Sequence, residues 1–180
     1  MYSYGQVEAA LAAVHRIPPK AVGAFKGRIK HFQRIGIVPA SPGKGKRIDY
    51  SLTDVYLWGF CLEFAEFGMD PVTIKKIAVR VWNYVYYEAF GPERDSDLYF
   101  FFHPALLGKD FPAELAQSIE APDGAPNSYS FLIDSDLHAG LDRSAKTPQD
   151  KEIASRFRAR YVAINLSRLR RDIDFALGGA

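Results

Sequence analysis

The chain has 180 residues, 48% apolar and 14% aromatic, which suffices for at least one buried core and excludes a disordered or fibrous polymer. No apolar run reaches the ~18–20 residues that cross a bilayer, and the opening MYSYGQVEAALAAVHR has no basic stretch ahead of its apolar part. Neither a membrane span nor a secretory signal is therefore expected. A single cysteine excludes an internal disulfide framework and fits a reducing cytoplasm; Cys61, within GFCLEF, reads as a buried helix residue and not a nucleophile.

The formal charge of +2 is unevenly spread. Residues 1–50 carry nine Lys or Arg against only Glu8 and Asp49, whereas acids outnumber bases in 51–90 and again in 91–180. So basic a first quarter on a near-neutral chain points to a polyanionic partner for that region.

Val7, Ala10, Leu11 and Val14 recur at helical spacing and predict a helix over about 3–15, with Ser3 as its cap. Ile17, Pro18 and Pro19 stop it. A second helix is expected over 19–34, since Val22, Phe25, Ile29 and Phe32 make a core stripe. The opposite face carries Gly23, Lys26, Gly27, Lys30, Gln33 and Arg34, with Arg28 and His31 towards its edges and few acids nearby to pair with it. Gly23 and Gly27 would let a groove edge approach the backbone. Gly36 stands where a C-terminal glycine cap belongs. The turn VPASPGKGKRIDYS follows, and a hairpin over 41–48 tipped by Lys44, Lys46 and Arg47 has no evident core role. Helix, turn, helix and basic hairpin make the layout of a winged helix, whose second helix enters the major groove while the wing holds phosphates.

Ser51 or Thr53 caps a third helix, with Asp54 in its first turn and Val55, Trp58, Cys61, Leu62 and Phe64 or Ala65 as its buried stripe. Gly68 ends it. Asp70 and Pro71 start a fourth helix that passes Ile74, Ile77, Val81, Tyr84 and Val85 to Gly91; Trp82, Tyr84, Tyr86 and Tyr87 suit it to pack on another chain or domain. Beyond Pro92 the texture becomes strand-like in LYFFFH (98–103), SYSFLID (128–134) and RYVAINLS (160–167). A helix over 151–160 and a closing helix over 167–177, capped by Ser167, complete the chain. The expected class is α+β: a mainly helical winged helix-turn-helix with its connecting helix in 1–90, then a small α+β domain for dimerisation or sensing in 91–180.

Two blocks of this sequence resemble the MerR-type winged helix-turn-helix regulators. IKHFQRIGIVP, from Ile29 to Pro39, matches the family frame I-R-Y-Y-x-x-x-G-L-x-P without a gap. Residues Tyr50, Ser51, Asp54, Val55, Trp58, Cys61, Phe67, Gly68, Met69, Asp70, Pro71 and Ile74 match the block that follows the family's wing. The resemblance covers about residues 3–78. It implies DNA binding, with Lys30 at the position of the family's DNA-contacting arginine and Phe32 at that of a packed aromatic. The chain departs from the family in a wing one residue longer, in the apparent insertion of Ile17, Pro18 and Pro19, and in lacking heptads or a cysteine pair after residue 78.

The candidate DNA-binding residues are Lys20, Lys26, Arg28, Lys30, His31, Gln33, Arg34, Lys44, Lys46 and Arg47. Lys26, Lys30, Gln33 and Arg34 are suited to base edges or nearby phosphates, and Lys44, Lys46 and Arg47 to the backbone. A nucleotide-loop reading of PGKGKR fails, because no glycine stands five residues before either glycine–lysine step and no Ser or Thr follows. Asp134, Asp136 and His138 could ligate a metal or act as acid and base, but alternation at a strand end more often caps a turn. Arg156, Arg158 and Arg160 could line a second nucleic-acid surface, while Arg168, Arg170 and Arg171 have Asp172 and Asp174 as partners.

The expectation is a cytoplasmic, bacterial or phage-type transcription regulator that binds double-stranded DNA as a homodimer. It uses no cofactor, metal or catalytic residue, and its C-terminal domain is open to a small-molecule effector. Three alternatives stay open: a phage-type architectural or packaging adaptor of the excisionase or terminase small-subunit kind, an enzyme centred on Asp134, Asp136 and His138, and a scaffold whose basic helix binds an acidic protein.

Overall fold

Tyr2–Ser3 (β1) runs antiparallel to Asp49–Tyr50 (β2), with Tyr2 opposite Tyr50 and Ser3 opposite Asp49. The computed structural model describes residues 1–39, 48–91, 97–102, 130–134 (backbone only), 148, 151 and 161–178. Ser3 then opens α1, Tyr4–Val14: its hydroxyl accepts from the Gln6 amide while Gln6 Oε1 accepts from the Ser3 amide at 2.9 Å. That reciprocal cap satisfies donors a helix start otherwise leaves orphaned. Pro19–Ala21 form one 3-10 turn, with proline at its first position and no side-chain cap, and lead into α2, Val22–Arg34. The chain closes α2 with Gly36 in the left-handed region (φ 76°), where the Ile37 amide reaches back to the Phe32 carbonyl at 3.0 Å.

Ser51 caps α3, Leu52–Glu66, in a second reciprocal box with Asp54, whose carboxylate accepts from the Ser51 amide at 2.8 Å. Of the two expected caps, Ser51 is the one used. The predicted single stripe of α3 is wider than expected: Tyr56 and Phe60 are buried along with Val55, Trp58, Cys61, Leu62 and Phe64. The reason is that α3 is covered from two sides, by the C-terminal helix and by aromatics of a sheet. Asp70 caps α4, Pro71–Val85, by accepting from the Thr73 amide at 3.0 Å, and a π turn over Tyr86–Phe90 continues it.

The sheet has the order β4-β3-β5, all antiparallel, with β3 Leu98–Phe102 between β4 Ser130–Asp134 and β5 Val162–Asn165. Phe100 stands opposite Leu132 on one side and Ile164 on the other. Phe100 meets Phe60 and Phe64 edge to face, with centroids 5.3 and 5.7 Å apart, the arrangement that ring quadrupoles favour. Helix α5, Leu166–Ala176, follows β5 directly. Its cap is not Ser167, as predicted, but Asn165, which accepts from the Arg168 amide at 2.8 Å; the Ser167 hydroxyl instead accepts from the Leu98 amide, because the β3–β5 pairing brings that donor to it.

Five α-helices and two small antiparallel sheets among the described residues make the chain a mixed, mostly helical α+β fold. The core runs on across residue 90: Leu98, Phe100, Phe102, Ile164, Leu166, Leu169 and Ile173 share one cluster with Val7, Leu11, Ile29 and Trp58. At Gly59 of α3 the Ile173 side chain of α5 packs onto bare backbone, since a Cβ there would lie 2.6 Å from Ile173 Cδ1. No helix among the described residues is long and apolar enough to cross a membrane. Lys151 is helical, but the rest of the helix expected over 151–160 lies outside the described residues.

Candidate nucleic-acid interface

Helix α2 buries Phe25, Ile29, Phe32 and Gln33 and exposes Gly23, Lys26, Gly27, Arg28, Lys30 and Arg34. Its register explains the outcome. Lys26, Lys30 and Arg34 recur every four residues and form a ridge along one flank, while Arg28 lies on the other. Gly23 and Gly27 lie beside the ridge, and a Cβ at either position would meet nothing within 4 Å, so the backbone there is open to a close approach.

The cations on this helix differ in what they already hold. Lys26 Nζ pairs with Glu8 of α1 at 2.8 Å, and Arg28 Nη1 pairs with Glu66 of α3 at 2.7 Å. The acid-poor face expected from sequence is therefore corrected at two points, because neighbouring helices bring carboxylates that α2 itself lacks. Such exposed pairs contribute at most about 1 kcal/mol and exchange readily for a phosphate. Lys20 and Lys30 are exposed and have no carboxylate partner among the described residues. Arg34 is exposed too; its Nη2 donates to Nδ1 of His31 at 2.9 Å, and it has no carboxylate partner among the described residues.

Gln33 is a further correction. Expected on the exposed face, it is buried, and its Nε2 donates to the Tyr50 hydroxyl at 2.6 Å and the Pro39 carbonyl at 3.4 Å. The signal was in the sequence: Phe25, Ile29 and Gln33 are spaced by four, which sets Gln33 at the edge of the core stripe. Burial raises the Tyr50 phenol, with the Gln33 hydrogen bond pulling the other way, so at neutral pH it stays protonated; its ring packs tilted against Trp58, with centroids 5.0 Å apart.

The segment from residue 40 to 47, with Lys44, Lys46 and Arg47, lies outside the described residues. Its two feet are described. Pro39 precedes it, Tyr50 follows it, and Gln33 bonds to both. The β1–β2 pairing fixes the return of the chain beside the start of α1. Two residues beyond Gln33, at the C-terminal cap of α2, Lys75 Nζ donates to the Ile35 carbonyl at 2.5 Å, placing a cation at the negative end of the helix dipole. Helix α2 is thus held at its C-terminal end by α4 and at Gln33 by the strand after the basic segment.

Asp134 ends β4, whereas Asp136 and His138 lie outside the described residues, as do Arg156, Arg158 and Arg160. Among the described residues no three His, Cys, Asp or Glu side chains gather in metal-binding geometry. Cys61 is fully buried and its thiol is pushed well above its ordinary range by desolvation. Arg168 pairs with Asp172 at 2.8 Å and Arg171 with Asp97 at 3.0 Å. Comparison with protein-family models, curated proteins and solved structures finds no match for this chain.

Proposed function

We propose that the chain is a DNA-binding transcriptional regulator with a MerR-like winged helix-turn-helix, in which residues 19–34 enter the major groove. The wing, 41–48, rests on the phosphate backbone through Lys44, Lys46 and Arg47. The observation that carries this reading is the flank of α2, where Lys30 and Arg34 stand one turn apart, exposed and without carboxylate partners among the described residues, beside the open backbone of Gly23 and Gly27. A ridge of that kind suits a groove, because cations line its rim while small residues let the helix settle in. Gln33 supports the reading differently from the way expected, by anchoring both feet of the basic segment and leaving base contacts to Lys26, Lys30 and Arg34.

The regulator acts as a homodimer in the cytoplasm, with two recognition helices in successive major grooves. Residues 91–180 supply dimerisation or effector sensing. No cofactor or catalytic step is part of the proposal.

The test is selection of genomic fragments by the pure protein at two salt concentrations, beside a Lys30→Ala/Arg34→Ala variant. A regulator enriches a few sequences sharply and loses them in the variant. Retention without sequence preference assigns an architectural or packaging role instead, and no retention at either salt removes nucleic acid as the partner.

A further inference from the structure

Helices α1, α2, α3 and α5 end in the same way, on a residue with positive φ whose amide reaches back three residues to a carbonyl of the last turn. Gly36 (φ 76°), Gly68 (φ 80°) and Gly178 (φ 86°) fill that position after α2, α3 and α5, and Arg16 (φ 50°) fills it after α1. After α1 the Arg16 amide bonds to the Ala13 carbonyl at 3.1 Å and the Ile17 amide to the Ala12 carbonyl at 2.9 Å, which completes a Schellman turn. Glycine is the residue for this conformation because it has no Cβ to press on the backbone. Arginine is not, and among the described residues Arg16 is the sole non-glycine with positive φ.

The two turn bonds offset that strain in part, but backbone atoms make them, so they give no reason for an arginine in place of a glycine. The Arg16 side chain is exposed and makes no hydrogen bond or ion pair among the described residues. Its location supplies a use. Arg16 lies in the connection between α1 and α2, the two helices of the proposed helix-turn-helix, four residues before Lys20 and six before Val22, where α2 begins. In this motif the first helix crosses the phosphate backbone while the start of the second meets the bases. Strained residues gather where a function holds them.

We infer that Arg16 is a phosphate-contacting residue of the DNA surface, retained in a left-handed turn at a cost in stability because its guanidinium grips the backbone beside the N-terminal end of α2. The inference rests on the DNA-binding reading above. It extends the contact surface from the α2 ridge and the wing to the turn that joins the helices, and it assigns Arg16 a role in affinity and not in base preference.

The experiment measures duplex binding across a salt series for the full chain and for Arg16→Gly and Arg16→Lys, with thermal melts of each. Arg16→Gly should melt higher by roughly 2–4 °C, since it relieves strain. It should also bind several-fold more weakly on every sequence, with a log–log salt slope shallower by about 0.9, the share of one released counterion. Arg16→Lys should keep the slope. If the unaltered protein binds DNA and Arg16→Gly leaves affinity and slope unchanged, the inference is overturned while the functional reading stands. If the unaltered protein binds no DNA at any salt, both fall.

Discussion

The Gln33 amide donates to the Tyr50 hydroxyl at 2.6 Å, and this one contact joins the body of α2 to the strand that follows the basic segment 40–47. The same nitrogen lies 3.4 Å from the Pro39 carbonyl at the segment's other foot. A buried amide placed in this way is a staple: it fixes Pro39, before the basic segment, and Tyr50, after it, relative to the helix whose outer flank carries Lys30 and Arg34.

Gln33→Ala should therefore cost about 1–3 kcal/mol of stability, because it leaves a buried hydroxyl and a carbonyl without their donor. Denaturant unfolding reads that number. The same variant should bind DNA more weakly without changing which sequences are preferred, because Pro39 and Tyr50, which flank the basic segment, lose their common anchor while the ridge stays intact. A changed base preference would mean instead that Gln33 reads bases itself.

The end of α1 holds a second, half-buried polar contact, with His15 Nδ1 3.7 Å from the Glu63 carboxylate of α3. Burial lowers the His15 imidazole, partly offset by Glu66. Burial, with Glu66 and Asp172 adding, pushes the Glu63 carboxyl up to about 6. The raised Glu63 favours the fold most below its unfolded value, near 4.5, and that contribution is lost as pH rises through about 6. The lowered His15 works in the opposite sense, its contribution being present above its unfolded value and lost as pH falls. Glu63→Gln should accordingly stabilise the protein by roughly 1 kcal/mol at pH 8 and by little at pH 4.5. Melting curves at the two pH values check this, and an equal effect at both would contradict the assignment.

Helix α5 is part of the same core as α1 and α3. Ile173 is fully buried against Gly59, and the Tyr56 hydroxyl donates to Asp174 at 2.5 Å. Ile173→Ala should cost about 2–4 kcal/mol. Because the cluster is continuous, the loss should appear as one cooperative transition that takes α1 and α3 with it, read by hydrogen exchange at Val7, Leu11 and Trp58. Early exchange confined to α5 would show that the C-terminal helix unfolds on its own. A fragment ending at residue 90 should likewise fail to melt cooperatively, since it bares the faces that α5 and Phe100 cover.

Much of this was legible beforehand, and the misses have physical causes. Caps and breaks speak locally: Ser3, Ser51, Asp70, Gly36 and Gly68 each do what their residue type and place imply. The apolar stripe of α2 and the strands at 98–102, 130–134 and 162–165 follow from periodicity and β-branched or aromatic content. What sequence could not supply was distance along the chain. Glu8 and Glu66 reach Lys26 and Arg28 only once three helices are packed, and the choice of Asn165 over Ser167 as a cap depends on where Leu98 lies. Gln33 departs from the outward position that a polar residue on a basic helix suggests, because its spacing of four from Ile29 sets it at the edge of the core stripe. Arg16 carried no sequence signal for its left-handed backbone, which glycine would have announced.

The central claim is that the flank of α2 meets a duplex, and salt dependence tests it most directly. Binding of the full chain to duplex DNA should weaken with added salt along a log–log slope set by about 5–8 phosphates, and Lys30→Ala/Arg34→Ala should make that slope shallower by nearly two units with the fold unchanged by circular dichroism. A double variant that keeps both the slope and the affinity of the original would contradict the account.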